Sequence, residues 1–196
     1  MPTATVIPAS TSSLMRNYLR AKDENRPLFM ARAFAPDAVL KMTLRTQAIA
    51  FPPEARGLDA ITEALVRTFG QTYENVFTFY LAHPGDDAVL SEYTCDWFVG
   101  MTEKSTRQVR VGCGTYDWAF QQAPHLATRL EITIETMLSL PADTAPAVFA
   151  WLTALPYPWT DSQRVVNSAP PIEALAPVMH WIRRVERTAY PADGTA

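Results

Sequence analysis

Between Ala88 and Leu138, apolar and aromatic residues recur with period two in three successive runs, AVLSEYTCDWFVGM, QVRVGCGTYDWAF and LATRLEITIETML, separated by turn-like stretches at 103–106 and 121–126. Alternation at every second residue marks a strand with one face buried, so this region predicts an antiparallel meander. Centring the first turn near Lys104 pairs Cys95 with Cys113, Trp97 with Val111 and Tyr93 with Thr115. One face then carries Val89, Tyr93, Cys95, Trp97, Val99, Val109, Val111, Cys113 and Asp117, and the other Glu92, Asp96, Arg110, Gly112, Gly114, Tyr116 and Trp118. Leu130, Ile132 and Ile134 extend the apolar set, and Glu131, Thr133 and Glu135 the polar one. The expected inner wall bears a single carboxylate, Asp117. Arg110, Tyr116, Trp118, Glu131 and Glu135 are expected to form an outer surface suited to a homodimer.

Upstream the period changes. Leu14, Met15, Tyr18 and Leu19 predict a helix capped by Ser12 or Ser13 and ending near the 23–27 break. Pro27 suits the first turn of a second short helix, Leu28 to Phe34. AVLKMTLRT (38–46) predicts a first strand and QAIAF (47–51) its return. A third helix, about Asp59 to Phe69, carries Ile61, Leu65, Val66 and Phe69 on one stripe, and NVFTFYLAH (75–83) predicts a strand leading into the meander. Helices grouped ahead of antiparallel strands argue for an α+β fold with the helices laid on one face of a curved sheet.

After Pro141, Ala145 to Leu155 reads as a helix capped by Asp143 or Thr144, PYPW (156–159) as a rigid break, and Pro177 to Arg187 as a last helix with Val178, Met179, Ile182 and Val185 toward one side. Trp151, Trp159 and Trp181 call for burial, so segment 141–190 is expected to dock on domain 12–140, on the mouth of its pocket or on a second subunit. Residues 1–11, rich in Pro, Thr, Ser and Ala, are expected to fray.

Composition narrows the partners. The 196 residues suit one domain with an appendage, and a formal charge of −3 without any Lys/Arg block excludes a nucleic-acid footprint. No apolar run approaches the ~18 residues of a membrane span, and the N-terminus lacks the pattern of a signal peptide, so a cytoplasmic protein without a membrane partner is expected. Cys95 and Cys113 show neither CxxC nor zinc spacing and read as small packed residues, a cross-strand disulfide being the minority reading. His83 and His125 beside prolines and His180 in the last helix read as structural or exposed, and no metal or cofactor is expected. Gly112-Cys113-Gly114 lies within a strand and reads as a packing device rather than a phosphate cradle.

The run YLRAKDENRPLFMARAFAPDAVLKM, then FPPEARGLDAITEAL and the meander with GTYDW, resembles SnoaL-like proteins of the nuclear transport factor 2-like superfamily. A first helix ending in Ala-x-Asp, a phenylalanine leading into Pro-Asp-Ala-Val before the first strand, and Gly-x-x-x-Ile opening the third helix carry the resemblance, over about residues 12–140. It implies a cone-shaped α+β barrel enclosing an apolar pocket, and relatives that include polyketide cyclases, scytalone dehydratase-like lyases, ketosteroid isomerases and limonene epoxide hydrolases, many of them dimers. In dehydratase-like members the aspartate ending the first helix works with a histidine after the third. Asp23 falls at the aspartate position, while GQTYENVF (70–77) carries Tyr73 and Asn75 but no histidine.

Two carboxylates are therefore the acid/base candidates. A carboxylate entering an apolar pocket is desolvated and becomes a usable base near neutral pH, which is the role open to Asp23; its alternative is a solvated helix end beside Arg20 and Lys22. Asp117 would face the same pocket, or pair with a nearby Arg as a strand-end aspartate. Tyr73, Tyr80, Tyr93 and Tyr116 are possible hydrogen-bond donors to an oxyanion, with Trp97 beside them in the wall; such tyrosines also serve as core residues. Three functions remain: a cofactor-independent lyase, isomerase or cyclase acting by proton transfer on a small apolar molecule, a non-catalytic apolar ligand-binding protein, or a structural dimerisation module.

Overall fold

The computed structural model describes residues 9–184. Most of the expected frayed N-terminus, and the last helix beyond Arg184 with Val185, lie outside the described residues. Helix α1 (Thr11–Asp23) begins one turn earlier than predicted, because Ser10 is its N-cap and accepts from the Ser13 amide at 3.4 Å. Leu14, Met15, Tyr18, Leu19 and Lys22 then fall on its buried side. Pro27 opens a 3-10 helix, Pro27–Arg32, and β1 (Phe34–Leu44) follows. Residues 47–51 form a loop instead of the expected return strand, and the return is the three-residue β2 (Glu54–Arg56). Helix α2 (Leu58–Thr62) passes through a π-helical stretch, Glu63–Thr68, into α3 (Phe69–Thr72).

Strands β3 (Tyr73–Tyr80), β4 (Glu92–Glu103), β5 (Val109–Gln122) and β6 (His125–Leu140) complete a six-stranded sheet of order β2-β1-β6-β5-β4-β3. The sheet is mixed rather than wholly antiparallel, since β1 runs parallel to β6 and only the other neighbours are antiparallel. Helices α1 to α3 fill its concave face, with Leu14, Tyr18, Ile61 and Leu65 packed on Leu40, Trp97, Tyr116, Trp118 and Ile132. No helix among the described residues is long and apolar enough to cross a membrane.

The register of the first hairpin corrects the sequence reading. Cys95 pairs with Tyr116, Trp97 with Gly114 and Tyr93 with Trp118, three residues further along β5 than expected. The turn spans Lys104–Arg107, closed by Glu103 N–H to Gln108 O, with Arg107 at φ 61. An odd shift turns every side chain of β5 to the opposite face. Tyr116 and Trp118 therefore join Trp97 in the core, while Val109, Val111, Cys113 and Asp117 point outward. A bulge between Cys113 and Gly114 flips β6 in turn, so Ile132, Ile134 and Met137 are inner residues whereas Leu138 and Leu140 are outer. At Gly114 a Cβ would collide with the Thr133 carbonyl and lie 2.8 Å from the Trp97 ring, so the bulge admits only glycine without rearrangement.

The outer face has two zones. Toward Val109 it is apolar and is covered by α4 (Ala145–Ala154), α5 (Ser162–Asn167) and α6 (Ala176–Arg183), whose Val148, Trp151, Leu152, Val165, Val178 and Ile182 pack on Phe79, Phe98, Val111 and Cys113. Helix α5 was not anticipated. Toward Asp117 the face is polar, with Lys41 and Arg129 on Glu131 and Arg45 on Glu135. The outer surface expected for a homodimer loses Tyr116 and Trp118, which are core, and Arg110 pairs with Glu103 at 2.9 Å.

Candidate functional site

The concave face encloses a cavity of about 40 Å³ lined by Tyr18, Lys22, Phe51, Phe69, Trp97 and Tyr116, with Thr78, Met42, Ile132 and Met137 completing the wall. Its polar groups come from α1, β3, β4 and β5. Tyr18 and Lys22 are four residues apart and so share one helix face, which aims both at the sheet. The Lys22 side chain is 7% exposed, and its ammonium lies 2.6 Å from Asp23 Oδ1, 2.7 Å from Thr78 Oγ1 and 4.9 Å from the centre of the Phe69 ring. Tyr18 is fully buried among the edges of Phe34, Tyr116 and Trp118. Its oxygen meets the Tyr116 hydroxyl, while its own O–H and the Trp97 indole N–H have no acceptor among the described residues. Burial pushes the Tyr18 phenol above its ordinary range, which keeps it a proton donor at all accessible pH.

Asp23 stands behind Lys22, its side chain 2% exposed. Oδ1 accepts from the Lys22 ammonium and from the Thr78 hydroxyl at 2.9 Å; Oδ2 accepts from the Thr78 amide at 2.7 Å and the Tyr157 hydroxyl at 3.1 Å. Four donors meet the roughly four acceptor positions of a carboxylate. Tyr157 arrives from a distance of 134 residues because the PYPW segment runs along β3, the last strand of the sheet. There Tyr80 N–H bonds Pro158 O, Thr160 N–H bonds Tyr80 O, and Trp159 stacks on Tyr80 at 5.8 Å. The strap also shields an exposed strand edge.

No protein-family model matches the sequence, and no curated protein matches it. Solved structures do resemble it. A proposed isomerase from Rhodopseudomonas palustris matches with a TM-score of 0.51 at 14% identity, over 63% of this chain and 87% of that one. LinA matches at 0.50 and 10%, over 65% and 84%. A nuclear transport factor 2-like superfamily protein from Salmonella enterica serovar Typhimurium matches at 0.48 and 16%, over 64% and 88%. The chain shares the fold of the first two of these structures. Identities this low speak for the architecture and not for a shared reaction.

Within this fold the anticipated residues scatter. Trp97 lines the cavity. Asp23 adjoins it through Lys22, whereas Asp117 lies on the outer face opposite Glu131 and accepts from the Thr94 hydroxyl, on the far side of the sheet from Asp23. The two carboxylates therefore cannot act on one substrate. Tyr80 is buried with its hydroxyl spent on Met15 O at 3.0 Å. Tyr93 is half-buried at the other end of β4, and Tyr73 packs on Phe69 at 5.0 Å outside the cavity. Tyr116 is in the wall. Cys95 and Cys113 are free, buried and on opposite faces, so the disulfide alternative falls; burial pushes the Cys113 thiol up to about 12 and Cys95 well above its usual value.

The residues that sequence reasoning passed over are Tyr18, Lys22, Thr78 and Tyr157. Lys22 had a signal: a charged residue on the apolar stripe of Leu14, Met15 and Tyr18 has no reason to be there unless its charge is used. Tyr157 had none, since only the path of the strap brings it to Asp23.

Proposed function

We propose that this chain is a small-molecule pocket protein whose inner cavity binds a largely apolar ligand through one acceptor oxygen. The observation that carries this reading is the pair of unpartnered buried donors, Tyr18 Oη–H and Trp97 Nε1–H, on residues lining an apolar cavity beside the Lys22 ammonium. Leaving such a donor unmade costs about 1–3 kcal/mol, a cost that packing alone does not explain. A carbonyl oxygen received there would be polarised by two neutral donors and a cation in a dry site.

The test uses the Trp97 indole itself. 2-Butanone titrated into the protein should move the indole proton resonance downfield in a saturable way, and Tyr18→Phe should weaken that binding about tenfold while leaving unfolding stability within about 1 kcal/mol, since the lost O–H has no acceptor in the free protein. An indole resonance indifferent to 2-butanone and to other small open-chain ketones would remove the reading.

A second reading, proton-transfer catalysis of the lyase or isomerase kind, is supported by Asp23 lying directly behind Lys22. Polarising a carbonyl acidifies its α-carbon, and Asp23 would become the base on giving up one of its four hydrogen bonds. The expected signature is deuterium exchange at the α-carbons of bound 2-butanone in D₂O, abolished by Asp23→Asn and kept by Asp117→Asn. Exchange that persists in Asp23→Asn would leave binding alone.

A further inference from the structure

Phe51 and Phe69 belong to two spaces at once. Their rings stack 6.3 Å apart, 18° from parallel, and form wall both for the inner cavity and for an outer groove of about 730 Å³. Ala50, Pro52, Ala55, Ala60 and Ala64 line the groove, which lies between the 47–56 segment and the π-helical stretch. The charges at its rim are matched, Glu54 with Arg56 at 2.5 Å and Glu63 with Arg67 at 3.6 Å, so the groove offers a chain of small apolar side chains and no uncompensated ion. Small residues in a row leave room for a slender apolar body, and the two phenylalanines are wall common to the groove and the donor cavity.

We infer that the ligand is an elongated neutral carbonyl compound, a medium-chain ketone or aldehyde, with its carbonyl among Tyr18, Lys22 and Trp97 and its alkyl chain passing between Phe51 and Phe69 into the alanine-lined groove. This rests on the donor cavity described above. The volume of about 40 Å³ admits a head of a few heavy atoms and no ring system, which directs the bulk of the molecule outward. The head is neutral because Lys22 is already neutralised by Asp23 at 2.6 Å; a carboxylate would bring a second anion beside that pair in a site without water to solvate it. Its oxygen meets two uncharged donors and the third Lys22 N–H, the other two being given to Asp23 and Thr78.

The experiment compares 2-undecanone, 2-butanone and undecanoate on the full chain, with affinity read from tryptophan fluorescence and head placement from the Trp97 indole resonance. The expected result is binding of 2-undecanone about 100-fold or more tighter than 2-butanone, from burial of the added methylenes, with the indole shifted by both ketones. Undecanoate should bind at least about tenfold more weakly than 2-undecanone. Ala60→Trp, at an exposed position of the groove, should cut the chain-length advantage from about 100-fold to below about tenfold, and Ala64→Trp gives the same readout one helical turn on. Equal affinities for the two ketones, or an advantage untouched by both tryptophan variants, would overturn the groove while a shifted indole still upholds the donor cavity. Undecanoate binding as tightly as 2-undecanone would overturn the neutral head. An indole that neither ketone moves would remove the donor cavity and the present inference together.

Discussion

Asp23→Ala should lower the free energy of unfolding by about 3–5 kcal/mol, the loss expected when one member of a buried ion pair is removed. The variant leaves the Lys22 ammonium in an apolar wall with Thr78 Oγ1 and the Phe69 ring as its remaining partners among the described residues, and it orphans the Thr78 amide, a group of the sheet that cannot move to find water. Both partners are close to fully buried, 2% and 7% exposed, so solvent screening does not discount the effect. Lys22→Met should cost much less, because Asp23 keeps three neutral donors, and the Asp23→Ala, Lys22→Met double variant should recover part of the single loss by taking the stranded charge away. Urea unfolding of the four proteins gives the cycle. A loss below about 1 kcal/mol for Asp23→Ala would mean that water reaches the pair, and the neutral-head argument for the ligand would fall with it.

Trp151→Ala is the second large effect, at about 3–5 kcal/mol. Its ring lies 5.0 Å from that of Phe98, and its indole N–H bonds Val165 O at 3.2 Å and Ser168 Oγ at 3.1 Å, tying α4 both to the sheet and to α5. Leu152 on the same helix reaches down to Gly100 of β4, where any Cβ would strike its methyl groups, so the helix sits on the strand backbone itself. Loosening this contact opens the apolar outer zone around Phe79, Phe98, Val111 and Cys113. The two cysteines report the side that opens. Cys113, on the outer face, should become reactive to a maleimide in the variant, while Cys95, on the inner face, stays protected. Equal protection of both thiols, with stability within about 1 kcal/mol of the parent, would show that Trp151 does not hold the extension.

How the site could be read from the chain turns on the same two faces. Strand existence was legible because β4 and β6 alternate strongly, and α1 because its stripe repeats at 3.6 residues below a serine cap. The register of β5 was not. That strand is covered on both sides, by α1 to α3 within and by α4 to α6 without, so Val109, Val111 and Cys113 are as apolar as Tyr116, Trp118 and Phe120. Hydrophobic alternation fixes parity only where one face meets water, and here the deciding feature was the Lys104–Arg107 turn with Arg107 in the left-handed region. The error carried Asp117 inward on paper and gave the site a second carboxylate that the fold places outside.

By itself, then, the sequence determined the kinds of element, the α+β order, the apolar stripe of α1 and the need to bury the tryptophans of the extension, because those follow from local periodicity and side-chain solubility. Only the tertiary structure decided which face of the sheet the extension covers, that β1 runs parallel to β6, that Tyr157 completes the shell of Asp23, and that Lys22 rather than either aspartate lines the cavity. Those facts join residues as much as 134 positions apart, and contacts of that range depend on register and on the path of the strap, neither of which leaves a period in the chain.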